Sequence, residues 1–138
     1  MNNDTVGRSV VPFPDESAYS VAFSPDGLLL ATSGDNAEIV LWDVESLIAG
    51  IPVTHTLIGH EHGGNRQVVF SPDGTLLASA GHDNTVRLWN VATGIQVGNP
   101  LSEHEDNVLT VAFSPDGKIL AAAGQDTTIR LWDVVTQA

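Results

Sequence analysis

The sequence predicts an all-β fold of three four-stranded antiparallel units, and three observations predict it. A segment recurs three times without a gap: SVAFSPDGLLLATSGDNAEIVLWDV at 20–44, QVVFSPDGTLLASAGHDNTVRLWNV at 67–91 and TVAFSPDGKILAAAGQDTTIRLWDV at 110–134. Each copy has Ser-Pro-Asp-Gly between two apolar runs, then a second polar turn before a β-branched run that ends on tryptophan. Each stretch leading into a copy carries one more short apolar run with a proline in or beside it. The offsets between copies are 47 and 43 residues. Units of this size cannot bury both faces alone, so they must stack on one another.

The elements follow in order. Val21 to Phe23, Val68 to Phe70 and Val111 to Phe113 are the first strands. In the corner that follows, proline presets φ and glycine takes the positive φ that closes the turn. The second strands, Leu28 to Thr32, Leu76 to Ser79 and Ile119 to Ala122, are nearly all apolar, as expected of a strand covered on both faces. Ile39–Trp42, Val86–Trp89 and Ile129–Trp132 form the third strands. Val53–Leu57 and Gln96–Leu101 read as a weaker fourth strand, and Arg8–Phe13 as another. Pro12, Pro52 and Pro100 fall in or beside these runs. A residue without a backbone donor suits an outer edge and discourages stray pairing there.

Composition sets bounds on function. A chain of 138 residues that is 42% hydrophobic supports one packed domain. It has no cysteine, which excludes disulfides and thiolate metal sites. Five basic residues against seventeen acidic ones give a charge of −12. That opposes nucleic acid and anionic membrane as partners, since both need clustered Lys and Arg. Met1 to Ser20 lack a basic start followed by an apolar run, and no segment approaches the roughly 20 apolar residues of a membrane span. A cytoplasmic location is expected.

Four antiparallel strands per 43–47 residues, the third closing on Leu-Trp-Asp or Leu-Trp-Asn, resemble the WD40 repeat. The resemblance covers roughly residues 8–134, and the near-identity of the copies is similar to bacterial WD40 arrays. It implies three blades of a β-propeller, with blade repeats at 20–60, 67–104 and 110–134. In this family a histidine before the first strand, a hydroxyl in the second, an aspartate in the second turn and the tryptophan form a hydrogen-bonded set. The middle repeat matches throughout with His60, Ser79, Asp83 and Trp89. The third offers His104, Asp126 and Trp132, but Ala122 replaces the hydroxyl. The first offers Thr32, Asn36 and Trp42, with no histidine in its leading loop. An intact network is therefore expected only in the middle blade. Its logic is that a carboxylate fixes the imidazole tautomer and a buried indole N–H needs an acceptor.

A His-Ser-Asp set also occurs in hydrolases, but Ser79 lies in mid-strand, whereas a nucleophile needs an exposed, strained position. Neither catalysis nor a cofactor is expected. His60-x-His62, with His55 and His82 nearby, completes no recognisable ligand spacing, so no metal is expected. Arg87 and Arg130 share a strand face with Trp89 and Trp132, where the first repeat has Val40. Their stems are expected to cover aromatic surface between blades.

Closed propellers have about 4–8 blades, and three blades leave two apolar faces bare. The strand order begins with a fourth strand and ends after a third. The expectation is therefore closure by oligomerisation, with Arg8–Phe13 of one subunit completing the blade of residues 110–134 in its neighbour by strand addition. Two chains would give six blades and three would give nine, with the dimer favoured over the trimer. The resemblance implies a protein-interaction scaffold for an unidentified protein partner. Loops that differ between repeats carry specificity, so Asp35, Glu61, His62, Arg66, His82, Glu103, Glu105 and Gln125 are the candidate contacts. On the opposite side Glu45–Pro52 is the longest departure from the repeat, with Leu47 and Ile48 expected to be exposed. The alternatives are a symmetric binder of a small ligand or glycan, in the channel or between blades, and a fragment of a longer propeller.

Overall fold

The Ser-Pro-Asp-Gly corners organise each unit. Ser24 Oγ donates to Asp26 Oδ1 at 2.6 Å and accepts from the Leu29 amide at 3.0 Å, while the Leu28 amide donates to Asp26 Oδ1 at 3.0 Å. The same pattern recurs at Ser71–Asp73 and Ser114–Asp116. Gly27, Gly74 and Gly117 close the corners at φ of 73°, 76° and 74°. The Thr75 amide and the hydroxyls of Ser71 and Thr75 hold the Asp73 carboxyl at a pKa of about 2.

The structure, a computed structural model, describes residues 17–61 and 64–138, the side chain of Arg66 excepted. Arg8–Phe13 and His62 thus lie outside the described residues. The strands are β1 (Ala18–Phe23), β2 (Leu29–Gly34), β3 (Glu38–Asp43), β4 (Thr54–Ile58), β5 (Asn65–Phe70), β6 (Leu76–Gly81), β7 (Val86–Asn90), β8 (Val108–Phe113), β9 (Ile119–Gly124) and β10 (Ile129–Asp133). They form three antiparallel sheets ordered β1-β2-β3-β4, β5-β6-β7 and β8-β9-β10.

Only the first sheet has a full fourth strand among the described residues. In the second, the run Gln96–Leu101 makes two isolated bridges, Trp89↔Gln96 and Val86↔Leu101. Gly98, at φ 72°, and Pro100, which has no N–H, interrupt the ladder between them. In the third, no described strand lies outside β10.

A one-turn helix, α1 (Val44–Ile48), follows β3 and is capped by Asp43, whose side chain accepts from the Ser46 amide. Leu47 is buried and Ile48 is exposed. The expectation of two exposed residues is corrected, because successive helical side chains point about 100° apart. Among the described residues no helix is long and apolar enough to cross a membrane.

Apolar packing is concentrated at the two junctions between sheets. At the first, Ala31, Ile39, Leu41 and Leu57 meet Val68, Leu77 and Trp89. At the second, Ala78, Ala80, Val86, Leu88 and Leu101 meet Val111, Leu120 and Trp132. The Val111 amide also donates to Gln67 Oε1 across the second junction, at 2.7 Å. Each junction joins a surface of alanine and branched residues to one of valine, leucine and tryptophan. The outward surfaces carry the same residues without cover. Val21 is 66% exposed, yet the matching Val68 and Val111 are buried, and Phe23 is 65% exposed, yet the matching Phe70 and Phe113 are half-buried. Ile129 and Leu131 are 76% and 65% exposed, yet the matching Val86 and Leu88 are buried.

Candidate functional site

The middle sheet brings the four predicted residues into one chain of hydrogen bonds. Trp89 Nε1 donates to Ser79 Oγ at 2.9 Å. Ser79 Oγ lies 2.7 Å from His60 Nε2, and His60 Nδ1 lies 3.0 Å from both oxygens of Asp83. An indole N–H only donates, and a carboxylate only accepts. Ser79 therefore accepts from Trp89 and gives its own proton to His60 Nε2, which leaves Nδ1–H to donate to Asp83. Burial alone would raise the Asp83 carboxyl. The bonds from His60, the Thr85 hydroxyl and the Glu61 amide outweigh it and hold the carboxyl well below the usual carboxylate range. Gly81 leaves the room: a Cβ there would run into the His60 ring.

The third sheet repeats half of this arrangement. His104 Nδ1 lies 2.9 Å from Asp126 Oδ2, and the Glu105 amide donates to the same oxygen at 2.9 Å. With Ala122 in the place of Ser79, His104 Nε2 is buried without a partner. In the first sheet Trp42 Nε1 donates to Thr32 Oγ1 at 2.8 Å, and Asn36 Oδ1 accepts from the Glu38 amide. Sequence reasoning missed Thr85 and Thr128, whose hydroxyls donate to Asp83 and Asp126 at 2.6 and 2.8 Å. The shared Asp-x-Thr was the available signal, and the first repeat has Glu38 there. Asn65, also missed, is fully buried with its Oδ1 unpartnered where the third repeat has Val108.

Two predictions arise from this geometry. Ala122→Ser supplies the missing link between Trp132 and His104 and raises stability by about 1–2 kcal/mol. Urea unfolding checks it, and a variant no more stable than the parent contradicts it. The second concerns acid. Asp83 and Asp126 are both depressed in the folded state, so their contribution is present above the unfolded carboxylate value of about 3.9. It is lost as pH falls from there toward the folded values. Stability measured across the acid range therefore drops below about pH 4, and Asp83→Asn flattens that drop.

The other candidates gather at one end of the sheets. Backbone bonds tie the second turns to the leading loops: Asp35 to Ser17 at 3.1 Å, His82 to Gly64 at 3.1 Å and Gln125 to Asn107 at 2.9 Å. Asp35, Glu61, Glu103, Glu105 and Gln125 are exposed. His82 is half-buried, its ring 6.4 Å from that of Tyr19. This end presents carboxylates to solvent, which attracts basic groups. His62 and the side chain of Arg66 lie outside the described residues.

The network itself is sealed. Ser79 is 0% exposed, its oxygen held between an indole and an imidazole, so no substrate reaches it. Among the described residues no group of three or more His, Asp or Glu side chains is placed to hold a metal. Arg87 acts as a tie. Its Nε donates to Thr85 Oγ1 at 3.3 Å, its Nη1 to Gln96 Oε1 at 3.1 Å, and its Nη2 reaches Asp83 at 3.4 Å.

A family model described as the WD domain, G-beta repeat, matches residues 9–43, 52–90 and 95–133. The matched unit is out of phase with the sheets: the second match takes β4 from the first sheet and β5–β7 from the second. The second and third matched repeats therefore each staple two neighbouring sheets. No curated protein matches the chain.

Proposed function

The chain belongs to the WD40 repeat family, and on that premise we propose that it is a protein-interaction scaffold completed by further copies of itself. Members of this family are generally non-catalytic platforms, and the sealed Ser79 supports the same reading here. The observation that carries the assembly is the match between bare and covered surfaces. Val21 and Phe23 are exposed and repeat Val68 and Phe70, which pack against the sheet before them, while on the same surface Leu30 is half-buried and Trp42 is already buried. Ala121, Ala123, Ile129 and Leu131 repeat Ala78, Ala80, Val86 and Leu88, which is packed against the sheet after it. The first surface of one copy therefore fits the last surface of the next with contacts the chain already makes twice. Two copies give six blades, inside the usual range of about 4–8, and twofold closure is the commonest symmetry.

Arg8–Phe13 of a neighbour is the strand we assign to the outer edge of β10. Removing residues 1–13 tests this: the truncated chain loses its oligomeric mass. A truncated chain of unchanged mass contradicts the assignment. We place the scaffold in the cytoplasm, with the carboxylate-bearing loop end as its partner surface. A ligand-binding reading draws on clefts that recur between turns at both junctions. One, of about 400 Å³, lies between Ser24–Asp26 and Asn90–Ala92, and the other, of about 280 Å³, between Ser71–Asp73 and Val134–Val135. It requires one saturable ligand per junction.

A further inference from the structure

Two hollows at the first junction run together. The cleft between the corners of the first two sheets continues into a second hollow of about 250 Å³ that passes Val53 and His55 of the fourth-strand segment. Leu29, Val91 and Ala92 line both, so one groove crosses the end of the sheets opposite the candidate loops. Its fourth-strand end is apolar, with Val53 62% exposed. Its corner end holds two carboxylates. Asp26 Oδ1 accepts from the Ser24 hydroxyl and the Leu28 amide. Asp73 Oδ1 accepts from the Ser71 and Thr75 hydroxyls and the Thr75 amide. These bonds hold both carboxyls below their ordinary range, so both are charged at neutral pH. Among the described residues neither pairs with a cation.

The second junction supplies an internal comparison. Its cleft has the same make-up, with Ser71–Asp73 across from Asp116, Gly117, Val134 and Val135. Lys118, however, stands where the first cleft has Thr75, and its charge bears on Asp116. One cleft thus carries its own cation and the other does not.

We propose that the groove at the first junction docks a segment of a partner protein, which places an arginine beside Asp26 and Asp73 and an apolar residue against Val53 and Val91. Charge complementarity selects the occupant, in a chain whose net charge of −12 already draws basic partners. Arginine suits the place better than lysine. Its planar fork matches a carboxylate, and its weaker hydration suits walls made of Pro25, Leu29 and Val91. The inference rests on the scaffold reading but not on the assembly, because both walls belong to one chain. It gives the scaffold a second partner surface, at the end away from the loops.

The probe is a capped pentapeptide, glycine-leucine-arginine-leucine-glycine, beside a twin with neutral citrulline for arginine. Each is titrated into the isotope-labelled full chain and followed by amide NMR. The amides of Thr75, Val91 and Ala92 are expected to shift saturably, and the citrulline peptide to bind roughly tenfold more weakly, since the charge-assisted pair is lost. Thr75→Lys installs the residue of the third repeat, whose amide makes the same bond to its aspartate. It is expected to bring the arginine peptide down to the affinity of its twin. Asp26→Asn keeps an acceptor for Ser24 and Leu28 and weakens binding severalfold. Equal affinity of the two peptides, undiminished binding by both variants, or equal shifts at Gly117 and Val134 each overturns the proposal. Binding that appears only after residues 1–13 are removed also overturns it, by assigning the groove to the chain's own first segment. Shifts confined to Glu105 and Gln125 at the loop end overturn the groove and leave the scaffold reading standing, whereas a chain with no saturable shift supports neither.

Discussion

Asp83→Ala lowers folding stability by about 3–5 kcal/mol, because it strands a buried cation and several donors together. The carboxylate receives His60, the Thr85 hydroxyl, the Glu61 amide and Arg87. Without it the buried Arg87 guanidinium keeps Thr85 and Gln96 but loses its only carboxylate among the described residues, and His60 loses the group that fixes its tautomer. Asp126→Ala costs less. His104 already lacks its second bond, and Arg130 does not lean on Asp126. Chemical denaturation of the two variants side by side is the check. A cost for Asp83→Ala below about 1 kcal/mol, or equal costs at the two sites, contradicts the account.

Phe23→Asp dissolves the assembly and leaves the chain folded. A buried aromatic side chain covers about 150–250 Å². At roughly 25 cal/mol per Å² its loss weakens association by two orders of magnitude or more, before the carboxylate's own desolvation is added. Within one chain Phe23 is 65% exposed, so little of the chain's own core depends on it. The equivalent change at Phe70, packed against the first junction, attacks folding instead. Circular dichroism and sedimentation separate the two effects. A Phe23→Asp chain that remains fully assembled contradicts the surface assignment, and one that unfolds contradicts its independence from the core.

The blades were legible in the sequence because their signals are local. Proline and glycine at fixed offsets set the corners, and period-two and apolar runs set the strands between them. The network was legible because a repeat aligns His60, Ser79, Asp83 and Trp89 with their partial counterparts. What escaped depends on three-dimensional neighbours. That Leu47 is buried while Ile48 is not follows from one capped helical turn, which the proline- and glycine-flanked stretch did not announce. The part played by Thr85 and Thr128 follows from a turn that folds each hydroxyl back onto its aspartate. The interrupted edge at Gln96–Leu101 follows from the backbone of Gly98 and the missing N–H of Pro100, although the run reads as one strand. Arg87 read as packing because its acceptors come from two separate elements.

The central claim is that the first surface of one copy covers the last surface of another, and absolute mass in solution tests it most directly. Light scattering coupled to size exclusion, repeated over a range of concentrations, predicts one sharp species of two chain masses, with three as the other closed solution. A Phe23→Asp chain in the same experiment runs as a folded monomer. A parent chain that stays at one chain mass at every concentration contradicts the claim.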